Sequence, residues 1–153
     1  MKIAIGFILI LLGFLVFVRF MEPGFIYYPS KEIDKIPSVD IACEEVFFRT
    51  EDREILWGIF VPAKQENAGV IIYFHGNAGN ISGRMDIIFN LYKLGYNVFA
   101  FDYRGYGKSS GKPDEEGLYK DGRAADLLPH LIWEPECFPI FLYIYFLIQS
   151  LIL

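Results

Sequence analysis

The stretch that decides the fold comprises residues 70–111, VIIYFHGNAGNISGRMDIIFNLYKLGYNVFAFDYRGYGKSSG. It begins with an apolar run at 70–74, which ends in a glycine-rich turn and is followed by a helical pattern that stops at Gly95. A second apolar run, 97–101, leads into a second glycine-rich loop. This order of strands, turns and helix predicts a βαβ unit of a parallel sheet. Ligands of such sheets bind at the carboxyl ends of the strands, so we expect the site at these two loops.

Further elements extend this unit on both sides. Residues 45–50 and 55–61 are rich in β-branched and aromatic side chains and flank a polar turn, which predicts a β-hairpin. Asn80 is placed to cap the helix that follows it. Pro113, with three acidic residues behind it, predicts a last helix that ends at Leu128, just before a proline. The predicted fold class is therefore α/β, a β-hairpin followed by βαβα.

Composition limits the classes of function. The 153 residues suffice for one domain, and the hydrophobic excess (54%) is concentrated in the uncharged stretches 3–18 and 137–153. A net charge of −5 with scattered basic residues argues against a nucleic-acid partner. Cys43 and Cys137 match no metal-binding spacing, and they are interpreted as two free thiols, with a disulfide as the alternative. We expect no metal and no cofactor.

Residues 1–21 are predicted to form a transmembrane signal-anchor. The sixteen uncharged residues 3–18 would make a helix of about 24 Å, against a bilayer core of about 30 Å. A cleaved signal peptide is the alternative, but no small-residue cleavage site follows. The anchor predicts a membrane location. The positive charge at the amino terminus predicts that this end stays in the cytoplasm, which places the domain on the non-cytoplasmic side. Residues 22–40 would form a linker to a domain over 41–128.

Three motifs, HGNAGN at 75–80, FDYRGYGKSSG at 101–111 and PDEEGLYKD at 113–121, resemble those of the α/β-hydrolase superfamily in order and spacing. Together with Tyr-Tyr-Pro-Ser at 27–30 after an apolar helix, they most resemble its membrane-anchored serine hydrolases. The resemblance covers residues 1 to about 126. It implies the N-terminal half of an α/β-hydrolase sheet and serine-dependent hydrolysis of a small-molecule ester, thioester or amide.

The same resemblance implies an oxyanion hole at the first turn. The backbone N–H of Asn77 would face the negative oxygen that develops during acyl transfer, a role worth roughly 2.7–4 kcal/mol. Gly76 and Gly79 are expected to allow backbone conformations that are closed to other residues. The alternative is a tight strand-to-helix turn with no chemical role. His75 is interpreted as a structural member of the turn, because the family's base lies near the C-terminus.

The second loop is expected to shape the other side of the site. Asp102 and Arg104 would hold this loop by hydrogen bonds and ion pairing. Gly105 would contribute to its turn, and Tyr103 and Tyr106 would line a pocket.

Ser109 lies in a formal match to the nucleophile motif G-x-S-x-G, at residues 107–111. The motif requires a strand that runs directly into the serine and a helix that leaves directly from it. The strand ends near Asp102, seven residues earlier, and the helix begins after Pro113. Ser109 is therefore not predicted to be a nucleophile. A P-loop is excluded as well, because it would need glycine at position 102.

The remaining residues do not complete a Ser–acid–His set. No nucleophile elbow occurs in 127–153, and His130 is interpreted as a loop histidine. Residues 129–153 form an apolar tail that is either a second membrane helix or, as we favour, sequence foreign to the family after a truncated hydrolase gene. Without the family's next strand, residues 70–74 are expected to form an exposed apolar edge.

Two functions are compatible with the sequence. The chain could be a truncated, membrane-anchored hydrolase-fold protein that has the oxyanion turn without nucleophile or base and is inactive as given. Alternatively, it could be a non-catalytic remnant or half-domain that needs a partner to complete its sheet.

Overall fold

The computed structural model describes residues 2–34, 41–66, 68–132 and 141–145. Within these ranges, seven strands and three α-helices are formed, in the order α1 (Lys2–Ile26), β1 (Tyr28–Pro29), β2 (Glu44–Arg49), β3 (Ile55–Val61), β4 (Val70–Phe74), β5 (Ala78–Gly79), α2 (Met85–Lys93), β6 (Asn97–Asp102), α3 (Glu115–Ile132) and β7 (Phe141–Tyr145). A short 3-10 turn, Ile81–Arg84, precedes α2.

A five-stranded sheet in the order β2-β3-β6-β4-β7 forms the centre of the fold. Strands β2 and β3 pair antiparallel, which confirms the predicted hairpin, and β3 continues antiparallel onto β6. Strands β4 and β6 pair in parallel, as the βαβ pattern predicts. Every residue of β4 and β6 is buried, as expected for central strands covered on both faces.

The two faces of the sheet are covered by different helices. One face packs on α2 through a cluster that includes Ile59, Tyr73, Val98, Ala100, Met85 and Ile88. The other face packs near α3 through an aromatic-rich cluster that includes Phe48, Phe60, Phe74, Phe99, Phe101 and Leu128. Burying each such large apolar side chain contributes about 1.5–3 kcal/mol. The fold class is therefore α/β, as predicted.

Two residues predicted at helix ends occur there, with Asn80 at the start of the 3-10 turn that leads into α2, whereas Pro113 lies before α3 and not at its first position. Asn80 Oδ1 accepts a hydrogen bond from Ser82 N at 3.0 Å, and Gly95 ends α2 with φ at 93°. Asp114 Oδ1 caps α3 by accepting from Gly117 N at 2.7 Å.

The predicted end of α3 is wrong. The helix continues past Leu128 through Pro129 to Ile132, so His130 lies in a helix and not in a loop. A proline in the last turn removes a single helical hydrogen bond, and here the helix continues past it.

The apolar tail provides the strand that was expected to be missing. Strand β7 pairs in parallel with β4, with Val70 opposite Phe141 and Phe74 opposite Tyr145. The predicted exposed edge at 70–74 is therefore wrong. Strand β7 was not predicted because it lies inside the uncharged stretch 137–153, whose length was interpreted as a membrane helix or as sequence foreign to the family. Residues 133–140 and 146–153, with Cys137, lie outside the described residues.

The N-terminal apolar segment is helical, and α1 runs five residues beyond the predicted anchor, from Lys2 to Ile26. Large apolar side chains along it are exposed, among them Phe7, Ile10 and Val16. Within the described part of the chain, no helix combines the length and apolar character that crossing a membrane requires. The transmembrane helix predicted at 1–21 is therefore not supported by the structure.

The segment after α1 lies on the domain. Strand β1 pairs in parallel with β5, so that Tyr28 lies opposite Ala78 and Pro29 opposite Gly79. The part of the predicted linker at 35–40 lies outside the described residues.

Candidate active site

The candidate site lies where β4 and β6 end side by side. Their register pairs Phe74 with Phe101 and thereby places the next residues, His75 and Asp102, next to each other. His75 Nε2 lies 3.2 Å from Asp102 Oδ1, and neither side chain is exposed to solvent. Two loops meet here: residues 75–80, called the oxyanion turn after the role predicted for it, and residues 103–111, called the Arg104 loop.

The His75 ring holds the first peptide of the oxyanion turn. Its Nδ1 lies 2.5 Å from the carbonyl oxygen of Gly76, and because a carbonyl only accepts, Nδ1 carries the hydrogen. This bond orients the planar peptide whose N–H belongs to Asn77. Nε2 lies close to Asp102, but the contact is not aligned as a hydrogen bond.

The same ring is not accessible to a substrate. Only 1% of His75 is exposed, and the edges of Tyr103 and Tyr106 pack against it with ring centroids 5.0 and 5.1 Å away. Burial raises the pKa of Tyr106, whose hydroxyl donates to the Asn77 carbonyl at 2.8 Å. The structure thus places His75 inside the wall of the site, and the two tyrosines next to it.

Asn77 is held through its carbonyl and its side chain. The carbonyl accepts from Tyr106 Oη and from Tyr28 N, both at 2.8 Å, and the side-chain Nδ2 donates to Ile26 O at 2.6 Å. Among the described residues, no hydrogen bond uses the Asn77 N–H. Asn77 is partly exposed and lies three residues beyond the end of β4.

The glycines of the site have different reasons to be glycine. Gly79 has φ at 79°, the left-handed conformation expected for it. Gly76 does not have a positive φ, and a Cβ there would meet nothing within 4 Å, so the expectation of a backbone closed to other residues is wrong for it. Gly107 combines φ at 45° with contact to Asp102 Oδ2, which a Cβ would overlap. Gly105, with φ at 82°, packs against Pro113.

Arg104 is directed away from the turn. Its backbone N and its guanidinium bind Asp121 of α3 at 2.8–3.0 Å, and the guanidinium also binds Asp52 of the β2–β3 turn at 2.9 and 3.0 Å. Gly117 makes room for it, because a Cβ there would lie 2.5 Å from Arg104 Cδ. Arg104 therefore ties its loop to the hairpin and to α3.

The ionisation of this cluster follows from its contacts. Hydrogen bonds from Arg104, followed by one from Thr50, hold the pKa of Asp52 well below its usual range. Burial raises the pKa of Asp121, although its hydrogen bonds from Arg104 act in the opposite direction. Burial opposes the charge on Arg104, but the two carboxylates outweigh it and raise the guanidinium pKa.

Ser109 is buried and its hydroxyl is fully used. Its Oγ accepts from Trp57 N at 2.9 Å and donates to the backbone oxygen of Asp102 at 2.7 Å. Only 1% of the residue is exposed. The structure therefore places Ser109 as a clamp between β3 and β6.

A cavity of about 300 Å³ opens beside the oxyanion turn and is lined by Tyr73, Gly76, Gly83, Arg84, Asp86 and Ile87. Within the described ranges, no group of His, Cys, Asp and Glu side chains could hold a metal ion.

Sequence reasoning missed a third part of the site, residues 26–34, here called the strap. Besides the bond from Tyr28 to Asn77, Ser30 N donates to Gly79 O at 3.1 Å. The Ser30 carbonyl accepts from Asn80 Nδ2 at 3.1 Å and from Gly107 N at 2.8 Å. The sequence shows only that this segment contains aromatic residues and proline. That composition does not indicate what the segment packs against.

The chain is similar to known proteins in sequence and in fold. The family described as the alpha/beta hydrolase fold matches residues 69–132. The uncharacterized protein YfhR of Escherichia coli is 41% identical over 125 residues, which cover 78% of this chain and 43% of YfhR. Protein bem46 of Schizosaccharomyces pombe is 34% identical over 116 residues, covering 72% and 38%. The chain thus spans about two fifths of the length of the curated relatives it matches.

The fold is also found in solved structures. The Pyrococcus furiosus esterase Pf2001 superposes with a TM-score of 0.66 at 25% identity, covering 77% of this chain and 46% of the esterase. Among the sequence relatives, the Arabidopsis thaliana alpha/beta hydrolase domain-containing protein WAV2 is 34% identical over 131 residues, covering 80% of this chain and 42% of WAV2. Motif order, sheet topology and these similarities agree, and the chain belongs to the α/β-hydrolase superfamily.

Proposed function

We propose that this chain forms the oxyanion-binding side of a serine-hydrolase site for an ester, thioester or amide. The observation that carries this proposal is the Asn77 N–H, which is left unused by the hydrogen bonds among the described residues. When a nucleophile attacks a carbonyl, the carbonyl oxygen becomes negative and accepts more strongly. A donor already in place stabilises that oxygen without reorganisation.

Three contacts support the idea that this donor is preorganised. His75 Nδ1 fixes the Gly76–Asn77 peptide from the buried side. Tyr106 Oη and Tyr28 N hold the Asn77 carbonyl on the other side. The cavity lined by Gly76 offers space beside the turn for the acyl or leaving group of a substrate.

The nucleophile and the base are not supplied by the described residues. The Ser109 hydroxyl already makes two hydrogen bonds, and the His75 ring is enclosed by aromatic side chains. We therefore propose that the chain as given does not hydrolyse esters through a Ser–His–acid triad.

Hydrolysis of p-nitrophenyl acetate by the purified chain tests the proposal that it has no triad-dependent activity. We expect no turnover that distinguishes the wild type from Ser109→Ala, because the Ser109 hydroxyl cannot reach a substrate. Clear turnover that is lost in Ser109→Ala would show that Ser109 is a nucleophile after all.

A chimera tests the oxyanion role directly. Its C-terminal part is taken from the Pyrococcus furiosus esterase, beyond the region that superposes on this chain. Asn77→Pro removes the backbone N–H, whereas the matched control Asn77→Ala keeps it. We expect Asn77→Pro to lower kcat by roughly 10²–10³-fold relative to Asn77→Ala. Equal rates in the two variants of an active chimera would contradict the oxyanion assignment.

A non-catalytic role is the second candidate. Pairing of β7 with β4 closes the edge that would otherwise have called for a partner, so a half-domain waiting for a partner is disfavoured. A stable domain without turnover remains. A monomer by light scattering, with a sharp cooperative melt, is the expected result for such a domain, and an obligate complex would favour a partner-dependent half-domain.

We further infer that α1 attaches the domain to a lipid surface, with the domain on the non-cytoplasmic side. Exposed apolar side chains around α1 support this proposal: Phe7, Ile10 and Val16 are 69%, 73% and 70% exposed. Such a surface is stable in contact with acyl chains and costly in water. Flotation of the full chain with phospholipid vesicles tests the attachment, and protease protection in sealed membranes tests the side.

A further inference from the structure

We propose that the strap, residues 26–34, is a positioning element of the site, which joins the oxyanion turn to the Arg104 loop and sets the place of the Asn77 N–H. This inference rests on the proposed oxyanion role of Asn77. It assigns to the segment between α1 and the domain a part in the site and not merely the role of a linker.

The backbone oxygen of Ser30 is the central contact. It accepts from Asn80 Nδ2 at 3.1 Å, in the oxyanion turn, and from Gly107 N at 2.8 Å, in the Arg104 loop. One carbonyl therefore connects two loops that follow different strands. A shift of the strap would change the distance between these loops.

The strap also pairs with the middle and end of the turn. Tyr28 N donates to Asn77 O at 2.8 Å and Ser30 N to Gly79 O at 3.1 Å, in the parallel pairing of β1 with β5. Asn77 Nδ2 returns a bond to Ile26 O. The sheet thus holds the start of the turn through His75, and the strap holds the remainder.

Two side chains secure the strap at its other end. Asn80 Nδ2 also donates to Glu32 O at 2.6 Å, and Lys31 Nζ donates to Ser109 O at 2.6 Å. Asn80 is buried, whereas Lys31 is exposed, so these anchors can be removed separately and at different cost to the fold.

Asn80→Asp in the full chain is the first test. The aspartate keeps the oxygen that caps Ser82 but loses the donor, and it turns a carboxylate oxygen towards the carbonyls of Ser30 and Glu32. Asn90→Asp, the same substitution at an exposed position of α2, is the matched control.

Residue-level amide hydrogen exchange supplies the measurement. We expect exchange at the N–H groups of Tyr28, Ser30 and Gly107 to accelerate about 5- to 30-fold in Asn80→Asp, with little change in β3 and β6. The Gly107 amide is decisive, because it contacts the strap and not residue 80. No change at Gly107, or the same acceleration throughout the sheet, would overturn the proposal.

Lys31→Gln provides a second test if Asn80→Asp does not fold. It should accelerate exchange at the same three amides, Lys31→Arg should restore their protection, and Lys64→Gln at an exposed site should have no effect. Unchanged exchange in Lys31→Gln would then reject the strap. Failure of the oxyanion role appears instead in the chimera rates, so the two failures are distinguishable.

Discussion

At the scale of single residues, the site includes a position that only glycine can occupy. Gly107 is the clearest case, because its positive φ and its contact with Asp102 each exclude a side chain. Gly76 lies in the neighbouring loop without either constraint. Position in a glycine-rich motif therefore does not by itself predict the need for glycine.

Gly107→Ala is expected to destabilise the protein by about 2–4 kcal/mol, from overpacking against Asp102 together with the strained φ. Gly76→Ala is the control, and its free energy of unfolding should stay within about 1 kcal/mol of the wild type. Urea unfolding measures both. Equal losses in the two variants would contradict the close approach of Gly107 to Asp102.

The buried pair of His75 and Asp102 should show strong energetic coupling. His75→Gln or Asp102→Asn alone removes one side of this buried polar contact and is expected to cost about 1–3 kcal/mol. The double variant should lose much less than the sum of the single variants. Free energies of unfolding that add up would show that the 3.2 Å contact carries no interaction energy.

At the scale of elements, charged contacts fix the loops that the sheet leaves free. Arg104 connects the Arg104 loop with α3 and with the hairpin turn, so three elements share one guanidinium. Asp52 and Asp121, its two partners, differ in burial, with 30% and 0% of their side chains exposed. Their pKa values accordingly shift in opposite directions.

Asp52 makes the stability of this junction depend on pH. Its folded pKa is lowered by Arg104, so its contribution is present above the unfolded pKa, about 4, and is lost as the pH falls towards the folded value. Asp121, with a raised pKa, acts in the opposite sense. Asp52→Asn should therefore reduce the loss of melting temperature below about pH 4, whereas Glu51→Gln, at an exposed neighbour, should not. If Asp52→Asn and the wild type gave the same profile of Tm against pH, this assignment would be contradicted.

At the scale of the whole molecule, the strap joins the apolar helix α1 to the sheet. The exposed side chains of α1 give this arrangement a second surface, separate from the sheet. If α1 contacts a lipid surface, the whole domain is attached to that surface.

Ile10→Arg is expected to weaken vesicle binding on the order of a hundredfold, because a charged side chain in apolar lipid costs about 2.5–3.5 kcal/mol. Gln65→Arg adds the same charge at an exposed position outside α1 and serves as the control. Vesicle co-sedimentation measures both. If the two variants bind alike, attachment is electrostatic or absent, and the lipid proposal for α1 fails.

Local patterns predicted much of the sheet. Strands β3 and β4 occur at the predicted residues, because uniformly apolar runs bounded by polar turns leave few alternatives. Contacts between distant segments were not predictable in this way. The bonds from Ser30 to Asn80 and Gly107 depend on how the chain returns over the sheet. The aromatic and β-branched residues of β7 favour a strand, but they lie inside the long uncharged stretch 137–153, whose length pointed to a membrane helix.

The side chain of Asn77 has a consequence for which residues this position can accept. It donates to Ile26 O at the end of α1, where helix carbonyls lack partners within the helix, while its main chain belongs to the oxyanion turn. Alanine would keep the backbone N–H of the turn but leave the Ile26 carbonyl without its donor. Aspartate would place a carboxylate oxygen against that carbonyl oxygen, and neither can donate. Glutamine keeps the side-chain amide, but its extra methylene does not fit the short distance between the turn and the Ile26 carbonyl. Natural variation at this one position is therefore expected to be narrow even in homologues whose catalytic chemistry has changed or been lost.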